Sequence, residues 1–135
     1  MFGETKNPFD LTRTCGGSSG GAAVALAARM LPLADGSDMG GSLRNPASFC
    51  NVVGFRTSPG RVPVYPVRDG WSNLSVLGPM ARTVADCALM LAAITGPDDR
   101  NPISLPDSAD LFLQTLKSNH KGTRVAFSSD FGGQL

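Results

Sequence analysis

Two glycine clusters that carry serine hydroxyls stand apart from the rest of this sequence. The first is Gly16-Gly17-Ser18-Ser19-Gly20-Gly21 and the second is Gly36-Ser37-Asp38-Met39-Gly40-Gly41-Ser42-Leu43-Arg44. Glycine takes backbone conformations that other residues avoid, and it lets a ligand approach the main chain closely. Two such loops, each offering a hydroxyl, suit acyl transfer. One hydroxyl attacks a carbonyl, and backbone N–H groups hold the oxyanion that results.

An unassisted serine is a weak nucleophile and needs a base. The sole histidine, His120, sits in Ser118-Asn119-His120-Lys121-Gly122, a polar turn where a solvated surface position is expected, so a Ser-His-Asp triad is poorly supported, and no Gly-x-Ser-x-Gly elbow is expected either. A neutral lysine can serve instead. Of Lys6, Lys117 and Lys121, none lies in a setting that singles it out. Phosphate binding is disfavoured: no Lys-[Ser/Thr] follows either cluster, and Gly-x-Gly-x-x-Gly is missing. The plain alternative is that both clusters are ordinary turns. It weakens because there are two of them, and because Asp38 and Arg44 bracket Met39-Gly40-Gly41-Ser42. That pair is expected to hold the second loop, and Ser19 and Ser37 to satisfy backbone groups.

The elements that must position these loops are legible in part. Ala22 to Met30 is alanine-rich and precedes Pro32, which predicts a helix over about 20–31. Leu31–Ala34 reads as a short strand leading into the second cluster. Pro46–Val53 reads as a short buried helix and Gly54–Thr57 as a strand. Residues 58–80 are rich in Gly, Pro and Ser and read as a loop packed on the core. Thr83–Thr95 is the clearest helix. Thr83 is a good N-cap, Asp86 stands three residues on, Val84, Cys87, Ala88, Leu91 and Ile94 form an apolar stripe, and Gly96-Pro97 stops it. Asp107 is expected to cap a helix over Ala109–Leu116, with Leu111, Phe112 and Leu116 inward. Arg124–Phe127 reads as a strand. Residues 1–15 read as extended or irregular, with a turn at Asn7-Pro8.

Composition bounds the function. With 135 residues the chain is one domain or part of one. The 41% hydrophobic content supports a core, while a net charge of +1 without a basic stripe disfavours nucleic acid as a partner. No apolar run approaches the roughly 20 residues of a spanning helix, and no signal peptide opens the chain, so no membrane association and a cytoplasmic setting are expected. Cys15, Cys50 and Cys87 fit neither a disulfide framework nor zinc-ligand spacing. Cys50 reads as a packed core thiol. Tyr65 and Trp71 are candidates to line a pocket, or to serve packing.

The two clusters, taken with Asn45-Pro46-Ala47, Ser48-Phe49-Cys50-Asn51-Val52-Val53-Gly54-Phe55-Arg56, Gly60-Arg61-Val62 and Gly78-Pro79-Met80-Ala81-Arg82-Thr83-Val84-Ala85-Asp86, resemble the amidase signature family. Nearly the whole chain is covered, with Cys15 replacing a proline frequent in the family. The resemblance implies an α/β fold, a mixed β-sheet covered by helices, of which residues 1–135 form only a central part, truncated at both ends. It implies hydrolysis of a small-molecule amide through an acyl-serine. Ser42 falls on the nucleophile and Ser18 on the bridging serine, which follows a cis peptide bond from Gly17; the separation, 42 − 18 = 24, suits the family. The oxyanion hole falls on the N–H groups of Met39, Gly40, Gly41 and Ser42. The family's lysine lies upstream of the first cluster, outside this sequence. No metal or organic cofactor is implied. Two alternatives stand beside this one. One is the glutaminase subunit of a tRNA-dependent amidotransferase, against which Asn45-Pro46 and Ser58-Pro59-Gly60-Arg61 argue. The other is a non-catalytic truncated product.

Overall fold

The computed structural model describes residues 3–114 and 120–133. Its core is a three-stranded antiparallel sheet in the order β3-β5-β4, formed by β3 (Leu33–Asp38), β4 (Val53–Gly54) and β5 (Val76–Ala81). A separate hairpin, β1 (Lys6–Asn7) with β2 (Asp10–Thr14), turns where Asn7-Pro8 predicts it. Asn7 is buried there; its side chain accepts from Phe9 N–H at 2.9 Å and donates to the Phe49 carbonyl at 2.8 Å. The hairpin that leads into the first glycine cluster is thereby tied to the segment that follows the second.

Helix α1 (Gly20–Ala27) packs on β3, β5 and the short helix α2 (Arg44–Phe49). Its alanines keep that approach close. Ala23 and Leu26 are fully buried beside Leu43, Ala47, Cys50 and Met80. The helix ends earlier than the expected 31, because Arg29 takes a left-handed conformation at φ 60°. Arg82 then donates to the carbonyls of Leu26 (3.1 Å) and Leu31 (2.7 Å), tying the last turn of the helix to the segment that follows it.

Several expected boundaries shift. The first strand runs over Leu33–Asp38 rather than Leu31–Ala34, so it carries Gly36, Ser37 and Asp38 of the second cluster into the sheet. The short helix occupies Arg44–Phe49 and not Pro46–Val53; Pro46 fits inside its first turn, where a missing N–H costs little. Of the expected strand 54–57, only Gly54 belongs to the ladder. Beyond it Phe55 N–H donates to Pro79 O at 3.0 Å, and the Thr57 hydroxyl donates to Leu77 O at 2.7 Å. The largest correction is β5, which lies almost wholly within the segment expected to be a loop and is the central strand. Gly78 and Pro79 in its middle mask it, since proline lacks a ladder donor and both residues are depleted in strands.

Helix α3 (Val84–Ile94) matches its expected bounds. Thr83 Oγ1 accepts from Asp86 N–H at 3.1 Å and donates to the Asp86 carboxylate at 2.7 Å. Cys87 and Leu91 are buried and Val84 is exposed, and all three line an open apolar hollow of about 270 Å³ together with Phe55 and Phe112. The expected helix from Ala109 is a 3-10 turn over Ala109–Leu113 with Leu111 exposed; Leu116 lies outside the described residues. Ser108 caps it, and Asp107 instead pairs with Arg61 at 2.8 Å. Arg124–Phe127 forms no strand; Val125 and Phe127 are 85% and 90% exposed. The residue pattern suits a strand, but no described strand pairs with it.

Candidate active site

The second cluster is organised by one buried carboxylate. Asp38 ends β3 with no exposed surface. Its Oδ1 accepts from Gly41 N–H at 2.9 Å, and its Oδ2 accepts from Leu43 N–H at 3.2 Å and Arg44 N–H at 3.4 Å. The Arg44 guanidinium closes on it as a fork, Nε to Oδ2 and Nη2 to Oδ1, both at 3.0 Å. A buried charge survives only when paired and hydrogen-bonded, and every lone-pair direction here is used. These donors hold the Asp38 carboxyl well below the usual carboxylate range. The Arg44 hydrogen bond contributes most, and Arg56 and the turn N–H groups add to it against the opposing effect of burial. The turn that wraps the carboxylate passes through Gly41 at φ +122°, a conformation side chains rarely adopt.

The pairing of Asp38 with Arg44 is legible from the sequence. Arg56 is not. It reaches in from beyond β4, and its Nη1 donates to Asp38 Oδ1 at 2.8 Å and also to the Asp38 carbonyl, while Nη2 donates to Leu74 O at 3.0 Å. The only sequence signal is a cation directly after the apolar run Val52–Phe55, which does not say which carboxylate it seeks.

The two glycine clusters are brought together, and Pro46 is one reason. In a helix the N–H of residue 46 would bond the carbonyl of residue 42. Proline has no N–H, so Ser42 O is left open, and Ser19 N–H takes it at 3.3 Å. A second tie runs from the Ser19 hydroxyl to Ser37 O at 3.3 Å. The approach is close at position 36, where a Cβ would stand 2.5 Å from Ser19 Oγ and 2.8 Å from Leu43 Cδ2, so a larger residue there would have to displace one of these side chains. The Gly17–Ser18 peptide is cis. Ser18 is exposed and Ser42 half-buried. Among the described residues, the N–H groups of Gly40 and Ser42 have no protein acceptor, whereas that of Gly41 is taken by Asp38.

The remaining candidates fall away from the loops. Lys6 pairs with Glu4 at 2.5 Å, His120 is exposed, and Lys117 lies outside the described residues. Against the expectation of no Gly-x-Ser-x-Gly elbow, the letters Gly16-Gly17-Ser18-Ser19-Gly20 spell that pattern between β2 and α1. That motif's triad needs a histidine, and His120 is a surface residue. All three cysteines are buried. Burial raises the Cys50 thiol above its ordinary value and pushes Cys87 up to about 11, so both stay protonated and inert. Tyr65 and Trp71 are exposed; Tyr65 stacks beneath Arg100, 4.8 Å from ring centre to guanidinium. Among the described residues no group of His, Cys, Asp or Glu is arranged to hold a metal, and no helix is long and apolar enough to cross a membrane.

Known proteins share this arrangement of sequence and fold. The Amidase family model matches residues 1–135. A glutamyl-tRNA(Gln) amidotransferase subunit of Coxiella burnetii is 41% identical over 133 residues, which is 98% of this chain and 28% of that protein. Among solved structures, a bacterial aryl acylamidase of the amidase signature family superposes with a TM-score of 0.75 at 43% identity, over 79% of this chain and 22% of its own. The corresponding glutamyl-tRNA(Gln) amidotransferase subunit of Thermotoga maritima gives 0.73 at 43% identity, over 79% of this chain and 24% of its own. The chain thus spans about a quarter of the length of these relatives. With a family match from end to end and an α/β core that follows solved members, the chain belongs to the amidase signature family.

Proposed function

We propose that this chain carries the nucleophile-bearing part of an amide hydrolase that works through an acyl-serine intermediate. Ser42 attacks the amide carbonyl. Ser18 relays the Ser42 proton to a neutral lysine and returns a proton to the leaving amine; that lysine is contributed from outside these 135 residues. Gly17 and Ser19 shape the first loop, and Asp38 and Arg44 the second. Backbone N–H groups of Met39, Gly40, Gly41 and Ser42 surround the developing oxyanion. Since the Gly41 N–H already serves Asp38, the burden on this turn falls chiefly on Met39, Gly40 and Ser42. Each such donor is worth about 2.7–4 kcal/mol of barrier. No metal or organic cofactor takes part, and the partner is a small-molecule amide.

One observation supports the reading above the others: the serine of each cluster lies in a loop hydrogen-bonded to the other, through Ser19 N–H to Ser42 O and Ser19 Oγ to Ser37 O. Treating the intact protein with a reactive phosphonate and mapping the adduct by mass spectrometry tests it. An adduct on Ser42 is expected. One on Ser18, Ser19 or Ser37 with Ser42 unmodified would assign the nucleophile elsewhere, and no adduct at all would favour a non-catalytic protein.

The second reading is the glutaminase subunit of a tRNA-dependent amidotransferase, favoured by the 41% identity to a protein of that name. Asn45-Pro46 and Ser58-Pro59-Gly60-Arg61 favour a stand-alone amidase. Turnover of simple amides by the purified protein alone supports the first; glutamine hydrolysis that needs a partner protein supports the second.

A further inference from the structure

We propose that Arg56 is a positioning residue for the Ser42 turn, sharing Asp38 with Arg44 and fixing the turn to the sheet and to the segment before β5. The functional half of this proposal rests on the acyl-serine reading; the structural half does not.

The two arginines do different work on one carboxylate. Arg44 belongs to the turn it braces, so its pairing with Asp38 closes a span of six residues and adds no tie beyond the turn. Arg56 comes from eighteen residues away, and its Nη1 engages both the Asp38 carbonyl and Oδ1. The carbonyl is the last of β3, the point at which the strand gives way to the turn. Through Nη2, the same guanidinium holds Leu74 O at 3.0 Å, two residues before β5 starts. One planar group therefore joins three stretches: the end of β3, the segment after β4 and the approach to β5.

Burial makes this the stiffer brace. The Arg44 side chain is 55% exposed and that of Arg56 is 26% exposed, against zero for Asp38. Water screens the Arg44 pair more than the Arg56 pair. With two guanidinium charges around one carboxylate, the cluster carries a net +1 at the foot of the turn, the sign that favours a developing oxyanion above it. A lysine cannot reproduce the brace. Its ammonium is a point charge and cannot span Asp38 and Leu74 O with the geometry of a planar fork.

The experiment compares Arg56→Met and Arg56→Lys with wild type in the intact protein, using two readouts. The first is amide hydrogen exchange at Gly41, Leu43 and Arg44, with α3 as internal reference. Arg56→Met is expected to raise exchange in the turn at least tenfold while α3 is unchanged, with Arg56→Lys between the two. The second is the rate of phosphonate labelling of Ser42, expected to fall on the order of 100-fold in Arg56→Met, since small misplacements of a nucleophile cost about that much. Added guanidinium ion should restore part of the rate. Exchange in the turn equal to wild type overturns the proposal, as does a loss of protection spread evenly over the protein. Exchange that rises as expected, in a protein whose wild type is never labelled at Ser42, keeps the brace and removes the acyl-serine reading instead.

Discussion

The two serine loops are held by opposite means. The second, residues 38–44, is braced by charge: a buried carboxylate collects three of its N–H groups and two guanidinium groups. The first, residues 16–19, has no charged partner among the described residues. Gly16 N–H donates to Thr14 Oγ1 at 3.1 Å, and Ser19 leans on the second loop through its N–H and its hydroxyl. The dependence runs one way. The brace of the second loop draws on nothing in the first, whereas the first leans on Ser37 O and Ser42 O, and the expectation follows from that asymmetry. A fault in the charged turn should thus reach both serines, while a fault in the first loop should stay local.

The largest expected effect is chemical. In the intact protein, Ser42→Ala should abolish acyl-enzyme formation and lower kcat on the order of 10⁶-fold, as loss of a serine nucleophile does elsewhere. Ser18→Ala should slow turnover severely yet leave measurable phosphonate trapping at Ser42, because in the proposed mechanism Ser18 moves protons and does not form the bond. Equal loss of trapping in both variants would show that the first loop does more than relay protons.

Removing the brace comes next. Asp38→Ala strands two guanidinium groups and the turn N–H groups, and breaking a buried pair from one side costs about 3–5 kcal/mol. Chemical denaturation should show that loss, and exchange should rise in residues 16–19 as well as in 38–44. Protection unchanged at Ser19 would contradict the one-way dependence. The pH response follows from the lowered carboxyl. A group whose folded pKa is depressed contributes stability that is fully present above its unfolded value, about 3.9, and lost as pH falls toward the folded value. Wild type should lose stability more steeply than Asp38→Asn below about pH 4, and the two curves should run parallel above about pH 5.

Gly36→Ala probes the seam between the loops. The added methyl would overlap the Ser19 hydroxyl and Leu43, and overpacking of this kind costs about 1–3 kcal/mol. Phosphonate labelling should fall further than stability does, since the displaced residue adjoins Ser18. A Gly36→Ala, Ser19→Ala double variant that recovers labelling would identify the Ser19 hydroxyl as the clash; failure to recover would point to Leu43.

How far the sequence anticipates these features follows from distance along the chain. Thr83 with Asp86, and Asp38 with Arg44, lie three and six residues apart, and local chemistry is enough to pair them. Arg56 with Asp38, eighteen apart, is invisible because a guanidinium after an apolar run names no partner. The strand β5 escapes for a related reason. Gly78 and Pro79 speak locally for a loop, and only the flanking strands, Leu33–Asp38 and Val53–Gly54, supply the pairing that overrides them. Arg124–Phe127 is the converse, a strand-like segment that no described strand completes. The roles proposed for Ser18 and Ser42 come from family resemblance, since the residues alone offer two hydroxyls and no base.

The smallest expected effect comes from a third way of holding backbone, a neutral cap remote from both loops. Thr83 Oγ1 accepts from Asp86 N–H at 3.1 Å and so satisfies one of the open donors at the start of α3. Thr83→Ala should cost about 1 kcal/mol, a shift of a few degrees in Tm, and Thr83→Ser should recover most of it because serine caps equally well. Helix α3 packs on β5 and, more sparsely, on β3 itself, so the cap reaches Asp38 only through the sheet. If the charged brace isolates the turn from strain in the sheet, Thr83→Ala will leave exchange at Gly41, Leu43 and Arg44 and labelling of Ser42 at wild-type values. Coupled changes in both would mean that the turn is held by the sheet as a whole, and that the carboxylate and its two arginines are one support among several.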